Sequence, residues 1–126
     1  MQKRKSDNNT REILASVIEG MQKQKGIEIV SIDFSGLKDT VCDYFVICHG
    51  ESNTHVSAIS ESVEETVKTK VKEKVWSKEG YDNSQWILLD YSSVVVHIFQ
   101  KPYRTFYNLE NLWADAKITS IAEQIY

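Results

Sequence analysis

Apolar residues along this chain repeat with two different periods, and the switches between them mark out the elements. Ile13, Leu14, Val17, Ile18 and Met21 fall at helical spacing, so the first element is an amphipathic helix. Asn9 or Thr10 is placed to cap it and Gly26 to stop it, while residues 1–9 read as a polar, flexible lead-in. Ile27, Ile29, Ile32 and Phe34 then suggest a strand ending near Ser35-Gly36. Tyr44-Phe45-Val46-Ile47-Cys48 is an unbroken apolar run, the pattern of a central strand buried on both faces. Beyond Gly50 the longest helix carries Val56, Ile59, Val63, Val67 and Val71 in one narrow stripe, as expected of a helix lying on a sheet. Glu64 and Lys68 are spaced as an i,i+4 pair on its wet face.

A brief strand is expected within Lys74 to Glu79. Trp86 to Leu89 and Val94 to Phe99 form a hairpin across Asp90-Tyr91-Ser92-Ser93. Pro102, the only proline, separates that hairpin from a helix expected near Thr105 to Ala116, and Ile118 to Tyr126 suggests one or two further helical turns. The order α-β-β-α-β-β-β-α implies an α/β fold, with a mixed β-sheet of about five strands flanked by helices. Its 126 residues fit one domain, and 41% apolar residues suffice to fill a core.

Fifteen basic and eighteen acidic residues give a net charge of −3. That balance argues against a chain that is mainly a nucleic-acid binder and against direct DNA contact. No apolar run is long enough to span a bilayer, so no membrane partner is expected. The basic start lacks a signal peptide's apolar segment, which makes a cytoplasmic location the default.

Catalytic chemistry finds little support. Cys42, Cys48, His49, His55 and His97 are the only soft ligands, and their spacing matches no metal site, so neither a metal nor another cofactor is expected. A Cys48–His97 pair would need neighbouring strands, and apolar strand cysteines are usually inert core thiols. His97 is expected to be a satisfied strand histidine, bonded to backbone or to a nearby acid. Gly50-Glu51-Ser52 before a helix could cradle a phosphate. Nucleotidyl transfer would also need paired acids for metal ions, and the chain has no Asp-x-Asp.

Trp86, Tyr91, Tyr103, Phe106, Tyr107 and Trp113 crowd one stretch, with Lys101 and Arg104 among them. Helical spacing with Leu109 and Leu112 assigns Phe106 and Trp113 to a core. Trp86 opens a strand and Tyr91 occupies a turn, places where a core gives less cover. Exposed tryptophan, tyrosine and arginine dominate protein–protein hot spots, so these two are interface candidates, with a core role for Trp86 left open.

Together these segments resemble the Iojap family, the ribosomal silencing factors. The resemblance is carried by Asp43-Tyr44-Phe45-Val46-Ile47, Gly50-x-Ser52-x-x-His55, Ala58-Ile59, Glu79-Gly80, Trp86-Ile87-Leu88-Leu89-Asp90 and Val94-Val95-Val96-His97-Ile98-Phe99. The last piece is Arg104-x-Phe106-Tyr107-x-Leu109-Glu110-x-Leu112-Trp113-x-Asp115-Ala116. It implies a single domain over residues 1–126 with a nucleotidyltransferase-like topology and no enzyme activity. The implied partner is the large ribosomal subunit, met through the fourteenth protein of the bacterial large-subunit series. Bound bulk there would block joining of the small subunit and lower translation, and the free protein would be a homodimer. A role in large-subunit assembly and a divergent nucleotide-binding enzyme are the alternatives. The resemblance also suggests Trp86, Asp90, Tyr91, Lys101, Arg104 and Tyr107 as partner-binding residues, with His97 matching the family's strand histidine. The turn departs from the family's Asp-x-Gly-Asp at Ser92-Ser93, and residues 117–126 extend past the usual end.

Overall fold

A computed structural model describes residues 7–37, 39–40, 42–113 and 115–122. Helices α1 (Asp7–Lys23) and α2 (Asn53–Val71) lie on one face of a six-stranded mixed sheet. The strands are β1 (Ile27–Asp33), β2 (Tyr44–Gly50), β3 (Ser77–Glu79), β4 (Trp86–Asp90), β5 (Val94–Gln100) and β6 (Lys117–Ser120), in the order β3-β4-β5-β2-β1-β6. Among the described residues only β2 and β5 pair in parallel. A short helix α3 (Lys101–Tyr107) and a 3-10 turn at Leu109–Asn111 lie against the opposite face.

The helix-covered face is aliphatic. Val17 and Met21 of α1, and Val56, Ile59, Val63 and Val67 of α2, meet Val46, Cys48, Ile87, Leu89, Val96 and Ile98, all without solvent exposure. The two helices approach closely at Gly20, where a Cβ would stand 2.7 Å from the Val63 Cα. Ser62 Oγ donates to the Gly20 carbonyl at 2.8 Å, and Lys70 pairs with Glu19 at 3.1 Å. At the start of α2 the Ser52 hydroxyl accepts the His55 N–H.

Four details differ from the sequence reading. Helix α1 already runs through Asn9 and Thr10, so neither caps it; residues 1–6 of the expected lead-in lie outside the described residues. Glu64 pairs with Lys78 and accepts from the Tyr81 hydroxyl rather than pairing with Lys68. The last long helix does not form: Pro102 lies in the first turn of α3 instead of preceding it, and Asn108, at a left-handed φ of 50°, ends the helix at Tyr107. Finally, residues 117–120 form β6 antiparallel to β1, a sixth strand where a helical turn was expected; residues 123–126 lie outside the described residues.

Candidate functional site

Strand alternation decides what the second face presents. Trp86, Leu88 and Asp90 of β4 stand opposite Phe99, His97 and Val95 of β5, and β2 adds Phe45, Ile47 and His49 in register. The side chains that result are mostly rings. Trp86 lies 4.6 Å from Tyr107 and 5.0 Å from Phe99, centroid to centroid; Phe45 lies 4.4 Å from His97 and 5.1 Å from Trp113. Phe34 closes the row with edge contacts to Phe45 and Trp113.

One end of this row is covered and the other is open. Toward β1, Phe34, Cys42 and Leu109 are buried. Toward β4, Trp86 and Leu88 are half-buried, Tyr107 is 43% exposed and Phe106 is 78% exposed. The sequence reading put Phe106 in a core, at helical spacing with Leu109 and Leu112. The helix ends between them, so the spacing no longer applies, and Phe106 and Leu112 both point to solvent. Trp113 does pack inward, on Phe34 and Phe45.

His97 fixes Trp86 in place. The indole Nε1–H donates to His97 Nδ1 at 3.1 Å, so the ring proton of the neutral imidazole sits on Nε2. Its partner is therefore an indole, neither backbone nor acid, and Nε2 is buried with no hydrogen-bond partner among the described residues. Burial pushes the His97 pKa down to about 3. Trp86, its only donor already used, offers an incoming partner an apolar ring.

Two of the expected contact residues are in other places. Tyr91 is 6% exposed in the helix-side core, where burial raises its phenol pKa. The alternation that buries Ile87 and Leu89 extends one step further to residue 91, a signal present in the sequence. Arg104 is 7% exposed and bonded within the chain. Lys101 is exposed at the start of α3, and Asp90 is half-buried, its Oδ1 accepting the Ser92 N–H at 2.7 Å. Ser92 has a φ of 73°, a left-handed conformation that a glycine would adopt without a Cβ penalty.

The catalytic alternatives lose their geometry. Cys48 registers with Ile98, so it faces the helices while His97 faces the rings; burial also lifts the Cys48 thiol to about 12. At the Gly50–Ser52 loop, Glu51 N–H donates to His55 Nδ1 and His55 N–H to Ser52 Oγ, occupying amides a phosphate would need. The other His55 nitrogen donates to the Gln24 carbonyl at 2.7 Å, tying α2 to the end of α1. Among the described residues no group of three His, Cys, Asp or Glu is placed to hold a metal ion, and no helix is long and apolar enough to cross a membrane.

The family model described as "Ribosomal silencing factor during starvation" matches residues 7–125. A ribosomal silencing factor of Bacillus subtilis is 35% identical over 113 residues, covering 90% of this chain and 94% of that protein. A chloroplastic Iojap protein of Zea mays is 41% identical over 73 residues, 58% of this chain and 31% of that one. A crystal structure of a Chromobacterium violaceum protein superposes with a TM-score of 0.77 at 29% identity, covering 90% of this chain and 93% of the other. One from Bacillus halodurans superposes with a TM-score of 0.72 at 30% identity, covering 89% and 98%. With the matched residues running from the first helix past the last strand, the chain belongs to the ribosomal silencing factor family.

Proposed function

We propose that this protein docks on the large ribosomal subunit through the open end of its ring-lined face and keeps the small subunit from joining. Trp86, Leu88, Phe106 and Tyr107 form the centre of the contact, with Lys101 and Asp90 at its rim. Tyr91 and Arg104 are left out of the contact set because both are buried. One observation carries the reading: an apolar, aromatic patch stays uncovered on a chain whose family is named for acting on ribosomes. The partner is the fourteenth large-subunit protein, as the family resemblance implies. Ribosomal proteins are generally basic, so the chain's charge of −3 favours encounter with one.

The action is steric and uses no reaction. The bound domain fills space that the small subunit needs, and it must remain bound longer than a joining attempt lasts. It works in the cytoplasm, and in the free protein a second copy covers the same patch.

Co-sedimentation with separated subunits tests this directly. Wild type is expected to pellet with large subunits and not with small ones, and to slow subunit joining in light scattering. Trp86→Ala, checked for folding by circular dichroism, is expected to bind at least about tenfold more weakly, as loss of a central aromatic anchor does. Wild type remaining in the supernatant would sink the reading.

A further inference from the structure

Helix α3 holds two of the rings on the docking face, yet has little of its own to keep it in place. It is seven residues long, too short to be stable alone, and no side chain caps its start. Arg104 is its one buried side chain. That guanidinium reaches three other elements. Nε and Nη2 donate to Glu110 Oε2 at 3.2 and 2.7 Å, on the 3-10 turn; Nη1 donates to the Ile27 carbonyl of β1 at 3.2 Å and to His49 Nδ1 of β2 at 3.0 Å. Glu110 comes within reach because the chain turns at Asn108, whose N–H closes on the Arg104 carbonyl.

The surroundings suit a fixed clamp. His49 is buried and accepts from Arg104, so it is neutral, and burial together with the adjacent guanidinium lowers its pKa. Glu28 Oε1, 4.0 Å away across the bulge in β1, is too far to compete for the same nitrogen. Charge-assisted bonds of this kind are stronger than neutral ones, and a planar fork sets direction as well as distance.

We infer that Arg104 is a positioning residue for the docking face: through Glu110, the Ile27 carbonyl and His49 it fixes α3, so that Tyr107 stays against Trp86 and Phe106 stands clear. It touches no partner itself. The inference rests on the docking reading above for its consequence, though the clamp can be tested without a ribosome.

The experiment uses Glu110→Gln, a half-exposed change that leaves the core intact, with Arg104→Gln as the second variant. In free protein, the Tyr107 ring protons should carry ring-current shifts from Trp86. These are expected to move toward ordinary tyrosine values in Glu110→Gln, while the Ile59 methyl shifts stay fixed. On large subunits, loosening α3 to about one-tenth occupancy of the competent pose weakens binding about tenfold. Because the clamp acts through the two rings of α3, adding Glu110→Gln to a Phe106→Ala/Tyr107→Ala double variant is expected to weaken binding less than about twofold further. Unmoved Tyr107 shifts in both variants overturn the inference. So does a full tenfold loss in the Phe106→Ala/Tyr107→Ala background, which would make Glu110 or Arg104 a direct contact. If wild type binds no large subunit, the docking reading fails, and the ring shifts still decide whether the clamp exists.

Discussion

The two faces of the sheet are built from different materials. Under α1 and α2 the side chains are mainly valine, isoleucine, leucine and methionine, with Cys48 and Tyr91 among them, closed off from water almost completely. On the other face rings predominate, covered at the β1 end and only partly covered at the β4 end. Branched aliphatic chains fill volume well but recognise little when exposed. Rings can lie flat, be half covered and still offer a large rigid surface. The contrast teaches that one side of this molecule is made for stability, and that the other also leaves something for a partner to meet.

The contrast predicts which change each face feels. The largest expected effect is acid sensitivity, and it belongs to the ring side. His97 is held near pKa 3 when folded against an ordinary value of 6.5, so the unfolded chain binds the proton first. Stability is therefore intact above about pH 6.5 and falls as the pH drops toward 3, by a total on the order of 5 kcal/mol. His49, lowered in the same direction, adds to the fall. Urea titrations from pH 7.5 to 4.5 should show it, and His97→Gln should flatten much of the slope. Equal stability at both ends for wild type would contradict a buried neutral imidazole.

Next comes the aliphatic side. Ile59→Ala removes a fully buried side chain between α2 and the sheet and is expected to cost about 3 kcal/mol in urea unfolding. The fraction that remains folded should bind large subunits like wild type. A binding defect out of proportion to the folded fraction would erase the distinction between the two faces. The smallest effect on stability is expected for Phe106→Ala, within about 0.5 kcal/mol of wild type because the ring is already in solvent. Its large-subunit affinity should nevertheless fall. Unchanged affinity would move the edge of the docking patch back to Trp86 and Tyr107.

Much of the aliphatic side is legible in the sequence, because periodicity records burial. The stripe from Val56 to Val71, the run at Tyr44–Cys48 and the alternation at 86–90 and 94–99 each lie where the structure has an element. The ring side is harder to read because its contacts are not periodic. Glu110 meets Arg104 only since Asn108 breaks the helix, and no helical spacing joins positions 104 and 110. Strand β6 has one apolar residue in four and forms because β1 offers it an edge from far away in the chain. Phe106 and Leu112 carry a helical pattern that the turn cancels. Tyr91 differs again: its alternation was there, but its place in a turn argued for exposure.

The parallel seam between β2 and β5 has a consequence for the order of events in folding. On either side of it the sheet grows by antiparallel pairs: β1 with β2 on one flank, β3 with β4 and β4 with β5 on the other. Those pairs close over short stretches and can form early, leaving β2 and β5 as facing edges that still lack a neighbour. Joining residues 44–50 to 94–100 closes a long loop of chain that carries α2, β3 and β4. Non-local pairing of this sort is slow, with rates typical of milliseconds to seconds rather than microseconds. The seam is thus the step at which two half-sheets become one protein, and changes there should alter how fast the chain folds as well as how firmly it stays folded.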